Sequence, residues 1–202
     1  MKRISGVGAI ACMLFASNAF AGMAADHGGE FMVRARAVHL GWNNSVNSPA
    51  LAGVGAANKT IPEVDLSYFF TSHIAAELIL TYPQKVTIDP NVGSVKALPP
   101  ILTVQYHFLP DSQSFRPYVG AGINYTRFSS YSLAGGALTG SKDSTGLALQ
   151  AGFDIPLTDT MTFNVDVKKA YIKTDISTAA GAPVGTLKLD PVLIGVGLGW
   201  KF

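Results

Sequence analysis

The chain has 202 residues, 48% of them hydrophobic and only 14% charged, with 21 Gly, 11 Pro and a single Cys. Such apolar content excludes disorder. After the N-terminus no uninterrupted apolar run reaches the roughly 18 residues that a membrane-crossing helix needs. What is left is a low-charge, Gly-rich chain whose apolar residues are spread by alternation, an all-β pattern.

The N-terminus reads as a secretory signal peptide. Lys2 and Arg3 form a basic start, residues 4–15 form a short apolar run, and Ala19-Phe20-Ala21 has the small-x-small form of a cleavage site. The expected division is a cleaved signal at 1–21, a periplasmic tail at 22–29 and one β-domain at 30–202. Cys12 lies inside the apolar run, so the mature chain carries neither disulfide nor thiolate chemistry. The 15 basic residues less Lys2 and Arg3 balance the 13 acidic ones, which removes the basic surface that nucleic-acid binding requires.

Alternation of period two then recurs eight times. Over 30–40, Phe31, Val33, Ala35 and Ala37 oppose Arg34 and Arg36. Over 60–70, Val64, Leu66, Tyr68 and Phe70 oppose Glu63, Asp65 and Ser67. Over 74–82, Ala76, Leu78, Leu80 and Tyr82 oppose Glu77 and Thr81. Over 98–108, Leu102, Val104, Tyr106 and Phe108 oppose Thr103, Gln105 and His107. Over 117–128, Val119, Ala121, Ile123 and Tyr125 oppose Gly120, Gly122, Asn124 and Thr126. Over 145–155, Leu147, Leu149, Ala151 and Phe153 oppose Gln150 and Asp154. Over 161–175, Phe163, Val165 and Val167 oppose Asn164, Asp166 and Lys168, and Lys169 breaks the parity. Over 189–202, Val192, Ile194, Val196, Leu198, Trp200 and Phe202 oppose Gly195, Gly197, Gly199 and Lys201.

Short turns and long connections (41–59, 83–97, 129–144 and 176–188) separate these segments in alternation. An even number of strands of about ten residues, joined in this way, predicts an eight-stranded antiparallel transmembrane β-barrel of the outer-membrane type. Closure satisfies every backbone donor and acceptor within lipid. A soluble eight-stranded barrel would turn its apolar parity inward instead. Two features favour the membrane reading. One parity is almost wholly small or polar, as a narrow interior requires. Aromatic residues also gather at the strand ends: Phe70, Phe108, Phe153, Phe163, Trp200 and Phe202 at one rim, and Tyr82, Tyr125 and Tyr171 towards the other. Short turns then face the periplasm and long loops the outside.

Several stretches, in order along the mature chain, resemble the OmpW family of small outer-membrane proteins. They are Phe31-Met32-Val33-Arg34-Ala35-Arg36, Leu98-Pro99-Pro100, Gln105-Tyr106-His107-Phe108, residues 118–126, Val167-Lys168-Lys169, and Leu189-Asp190-Pro191 through Trp200-Lys201-Phe202. The segment His39-Leu40-Gly41-Trp42-Asn43 departs from the resemblance, because family members often carry a proline there. The resemblance implies residence in the outer membrane of a Gram-negative cell and uptake of small hydrophobic molecules. It also implies, for some relatives, recognition by phage or bacteriocins.

The residues themselves suggest a division of labour inside the barrel. Arg34, Arg36, Asp65, Glu77, Asp154, Asp166 and Lys168 share the inward parity low in the wall and are expected to form a charged plug. Above them Val38, Leu40, Ile61, Ile101, Phe128, Leu189 and Leu193 offer an apolar lining for a hydrophobic solute. Pro62 and the pair Pro99 and Pro100 cannot donate ladder hydrogen bonds, and they flank the third strand near its top, so a lateral exit into the membrane is expected there. Trp200 and Phe202 end the chain like the recognition signal read by the barrel assembly machinery. Expected surroundings are outer-membrane lipid and lipopolysaccharide. The alternative function is a surface barrel whose loops act as receptor or adhesin. No enzyme chemistry, cofactor or metal is expected. His39, near Ser45 and Ser48, is the one histidine placed for a hydrolase, and His27 with Glu30 is the one thin metal pairing.

Overall fold

The computed structural model describes residues 28–89 and 93–202. The signal-peptide reading and His27 lie outside these residues. Eight antiparallel strands form the wall: β1 (Glu30–Gly41), β2 (Lys59–Phe69), β3 (Ile74–Leu80), β4 (Ile101–His107), β5 (Arg116–Leu133), β6 (Asp143–Pro156), β7 (Met161–Ala170) and β8 (Val192–Lys201). Each pairs with its neighbours in sequence, and β8 pairs with β1 from Met32↔Lys201 to Gly41↔Val192, which closes the ring.

The faces follow the alternation. Leu147 is 64% exposed and Val104 58%, whereas Arg34 and Glu77 are fully buried. Apolar residues therefore point out and charged ones in, the reverse of a water-soluble barrel. The three short turns lie at one end, and a hydroxyl pins each of them. Thr71 Oγ1 accepts from the backbone N–H of His73 and Ile74, Ser112 Oγ from Ser114 and Phe115, and Thr158 Oγ1 from Thr160 and Met161. These are local side-chain turns that fix strand register without a tertiary partner.

At the other end the long connections are not open loops. A hairpin of Gln84–Asp89 and Gly93–Leu98 continues the wall beside β5. Leu138–Gly140, Lys173–Thr178, Pro183–Lys188 and Ser45–Val46 continue it on the other side. The transitions into this upper tier correct several expected strand ends, and β5 runs on to Leu133 rather than stopping at 128. β3 stops at Leu80 rather than at 82, before Thr81-Tyr82-Pro83, and β4 begins only at Ile101, after Pro99-Pro100. β7 stops at Ala170 rather than at 175, and β8 begins at Val192 rather than at 189. At this last break Asp190, with φ of 30°, turns its carboxylate to accept the N–H of Ile172 at 3.0 Å, and Lys169 reaches the Asp190 carbonyl. The inward and outward alternation runs on through Lys169, which keeps the outward parity and reaches the Asp190 carbonyl, so the break there is one of residue type and not of facing.

Candidate functional site

The lower interior is a network of paired charges. Arg34 Nη2 donates to Asp154 Oδ2 at 2.9 Å, and its Nη1 reaches Ser67 Oγ at 2.9 Å and Glu77 Oε1 at 3.3 Å. Arg36 bridges Asp65, Glu77 (2.9 Å) and Asn164 (3.0 Å), with its Nε 3.1 Å from Glu63 Oε1. Lys168 Nζ sits 2.8 Å from Glu63 and 2.6 Å from Asp166. Gln150 Nε2 ties Glu77 Oε2 to Asp166 Oδ2, at 2.8 and 2.7 Å. All seven residues expected to form the plug are buried here and brought together.

Sequence reasoning left Glu63, Tyr118 and Gln150 out of this group. Glu63 shares the parity of Asp65, and Tyr118 the parity opposite Val119, so the signal was there. Tyr118 carries no formal charge, and its hydroxyl, donating to Asp166 at 2.9 Å, does the work of a polar residue.

The glycine row of β8 makes room for the two arginines. A Cβ on Gly197 would strike the carbonyl oxygen of Ala35 and the Cα of Arg36, and one on Gly199 would lie 3.0 Å from Arg34 Cγ. Bulk on one strand is possible because the facing strand has none.

Above the charges Val38, Leu40, Ile61, Ile101, Phe128, Leu189 and Leu193 are buried in one apolar cluster. These residues, expected to line a site for a solute, are covered by other apolar side chains. The first long connection folds inward, burying Leu51 and Ala56 against Ile88, Val95 and Leu187, with Val54 packed alongside. Apolar residues carried on a connection are stabilised by such burial. The cavity left among Leu51, Val54, Ile88, Phe128 and Leu189 is only about 20 Å³.

The wall is incomplete beside β3. The β2–β3 ladder runs from Phe69↔Ala75 to Val64↔Leu80 and stops there. Residues 59–63 still pair with β1 on their other side but, among the described residues, have no strand partner on this one. Backbone pairing resumes where the Ala57 N–H donates to the Thr87 carbonyl at 3.0 Å. The gap holds a pocket of about 380 Å³, lined by Leu40, Trp42, Ile61 and Val86 together with Lys59, Gln84, Lys85 and other residues. Pro62 stands within the unpaired run. At Pro99-Pro100, by contrast, the ladder lapses only between Ile79↔Ile101 and Gln84↔Ala97, and the Pro100 carbonyl accepts from Tyr125. Of the prolines expected to mark an exit, Pro62 borders the wide opening, and Pro99 and Pro100 a narrow break.

The OmpW family model matches residues 27–202, nearly the whole of the mature length expected from the sequence. The chain belongs to the OmpW family. It is 40% identical over 169 residues to the outer-membrane protein y4mB of Sinorhizobium fredii, covering 79% of this chain and 73% of that one. It is 33% identical to outer membrane protein W of Vibrio cholerae, covering 86% and 89%. The crystal structure of OprG from Pseudomonas aeruginosa superposes with a TM-score of 0.72 at 27% identity, covering 88% of this chain and 98% of that one.

This OmpW-family barrel resides in the bacterial outer membrane, and the family is not one of enzymes. In such barrels the short turns face the periplasm, so the charged network lies on the periplasmic side of the apolar cluster. Below the network a vestibule of about 230 Å³ opens among Met32, Phe69, His107, Arg116, Lys201 and neighbouring residues. His39 faces outward and meets Thr60 Oγ1 at 3.1 Å, in a pair of surface side chains. Glu30 pairs with Lys201. At the C-terminus Phe202 and Phe31 exchange backbone hydrogen bonds of 2.8 and 3.2 Å, and the Phe202 side chain is 77% exposed. Trp200 also faces outward, paired across from Val33.

Proposed function

We propose that this barrel admits small hydrophobic molecules from outside and releases them sideways into the membrane. The observation that carries this reading is the gap between β2 and the β3 side of the wall, which opens on Leu40, Ile61 and Val86 just above the charged network. A hydrophobic solute gains by entering an apolar lining. Moving it down the axis would mean breaking the pairs held by Arg34, Arg36 and Lys168, each of them buried. The gap offers a path that leaves those pairs intact. Leu51 and Val54 would have to move for a solute to enter from above. They sit on a connection rather than on the wall, where motion is least costly.

The supporting experiment compares uptake of a hydrophobic solute by intact cells with and without the gene, and then with single variants. Ile61→Trp fills the gap and should slow uptake towards the rate of cells lacking the barrel. Asp166→Ala alters the network and should leave uptake close to wild type. Slow uptake with Asp166→Ala and normal uptake with Ile61→Trp would place the route along the axis. Equal uptake with and without the gene would favour the surface-receptor reading, which the filled interior and ordered upper tier also suit.

A further inference from the structure

The lining of the gap is not purely apolar, and its two charged members, Lys59 and Lys85, are both cations. Lys59 has the inward parity of β2, and its Nζ donates across the opening to Oε1 of Gln84 at 2.9 Å. Gln84 is buried, and its amide also donates to the Tyr82 carbonyl at 3.0 Å. Lys85 lines the outer mouth and lies directly opposite Lys96 in the hairpin, both of them exposed. Like charges placed opposite one another in a ladder are destabilising, and among the described residues no acidic side chain lines the pocket. The indole Nε1 of Trp42, in the same lining, is buried and has no hydrogen-bond partner among the described residues. A buried donor without an acceptor carries a desolvation cost that a ligand oxygen can relieve.

A partly apolar pocket with an ammonium bridging its opening, a second cation, Lys85, at its mouth and an unmet indole N–H matches a molecule with an apolar chain and an anionic, oxygen-bearing end. We propose that the gap preferentially takes single-chain amphiphiles ending in a carboxylate. Lys59 exchanges Gln84 for that carboxylate, and Trp42 donates a second hydrogen bond to it. The proposal rests on the sideways route above and names the substrate class of that same opening. The Lys59–Gln84 bridge is then a clasp across the unpaired wall, and the correct solute opens it by replacing one polar partner of Lys59 with a charged one. Charge-assisted hydrogen bonds are the stronger kind.

The test measures uptake of decanoate and of its methyl ester, which differ in charge but share the chain, by cells carrying wild type, Lys59→Met, Lys59→Arg, or Lys85→Ser with Lys96→Ser. Folding of each variant is checked by its heat-modifiable gel mobility. The expected result is that Lys59→Met lowers decanoate uptake about ten-fold, the loss of one charge-assisted contact. Ester uptake should be unchanged, and Lys59→Arg should restore decanoate. A Lys59→Met barrel that moves both probes faster makes the bridge a latch without selectivity and overturns the proposal. So does one that moves both more slowly, or one that leaves the ratio unaltered. Loss of preference in the Lys85, Lys96 variant alone puts the anion on the outer surface, as for a lipid headgroup, and also overturns it. If wild type moves neither probe faster than cells lacking the barrel, the uptake reading itself has failed, which is a different result from a lost preference.

Discussion

At the scale of single residues, Arg36 holds the interior together. It contacts Glu63, Asp65, Glu77 and Asn164, three of them carboxylates in a buried space. Arg36→Met keeps most of the volume and removes the charge, leaving those carboxylates short of a partner. Breaking a buried pair in this way costs about 3–5 kcal/mol. Urea unfolding of the refolded barrel in lipid vesicles should show a loss of that size. Tyr118→Phe removes one hydroxyl that donates to Asp166 and should cost less, about 1.5–3 kcal/mol for a hydrogen bond to a charged group. If Arg36→Met were no more damaging than Tyr118→Phe, the network would not depend on its arginine as the distances indicate. Gly197→Val should also fail to fold well, since any Cβ there meets the backbone of Ala35 and Arg36. The heat-modifiable fraction of that variant reports it.

At the scale of elements, the last strand and the transitions above the membrane matter most. Phe202 bonds its backbone to Phe31 at the seam that closes the ring. Deleting Phe202 should leave unfolded or degraded protein in cells, read as loss of the heat-modifiable band. A normal band would show that the terminal aromatic is dispensable for insertion. Pro99→Val with Pro100→Val should let the ladder close between Ile79↔Ile101 and Gln84↔Ala97, raising hydrogen-exchange protection there. Because the wider gap borders Pro62, this double variant should change uptake little.

The eight wall strands and their facing were legible because inside and outside differ in chemistry at every second residue, as at Arg34, Ala35, Arg36 and Ala37. The seven plug residues were legible for the same reason. The upper tier was less so. Residues 84–89 and 93–98 alternate, but Pro83 and Pro99-Pro100 read as loop punctuation and hid a hairpin that resumes the wall. The inward fold of Leu51 and Val54 had no periodic signal, since a connection that inserts into a cavity is fixed by what it covers. The Lys59–Gln84 contact spans two elements, and no spacing along the chain announces it.

At the scale of the whole molecule, an eight-stranded ring leaves an interior only wide enough for side chains. Here those side chains are three cations and five carboxylates below, Arg34, Arg36 and Lys168 with Glu63, Asp65, Glu77, Asp154 and Asp166, and an apolar cluster above. The barrel should therefore conduct ions poorly. In planar bilayers it should show no large, stable porin-like steps, and such steps would mean the charged network opens. The interior of this barrel is closed by its ring of strands and filled by paired charge and apolar side chains, and the unpaired run 59–63 leaves an opening that faces sideways. The most direct test of that claim uses an alkane carrying a photoreactive diazirine, supplied to intact cells and activated during uptake, with the adducts mapped by mass spectrometry. The account predicts adducts on the gap lining, Leu40, Trp42, Ile61 and Val86. Adducts concentrated on Met32, Phe69 and His107, in the vestibule below the charged network, would contradict it.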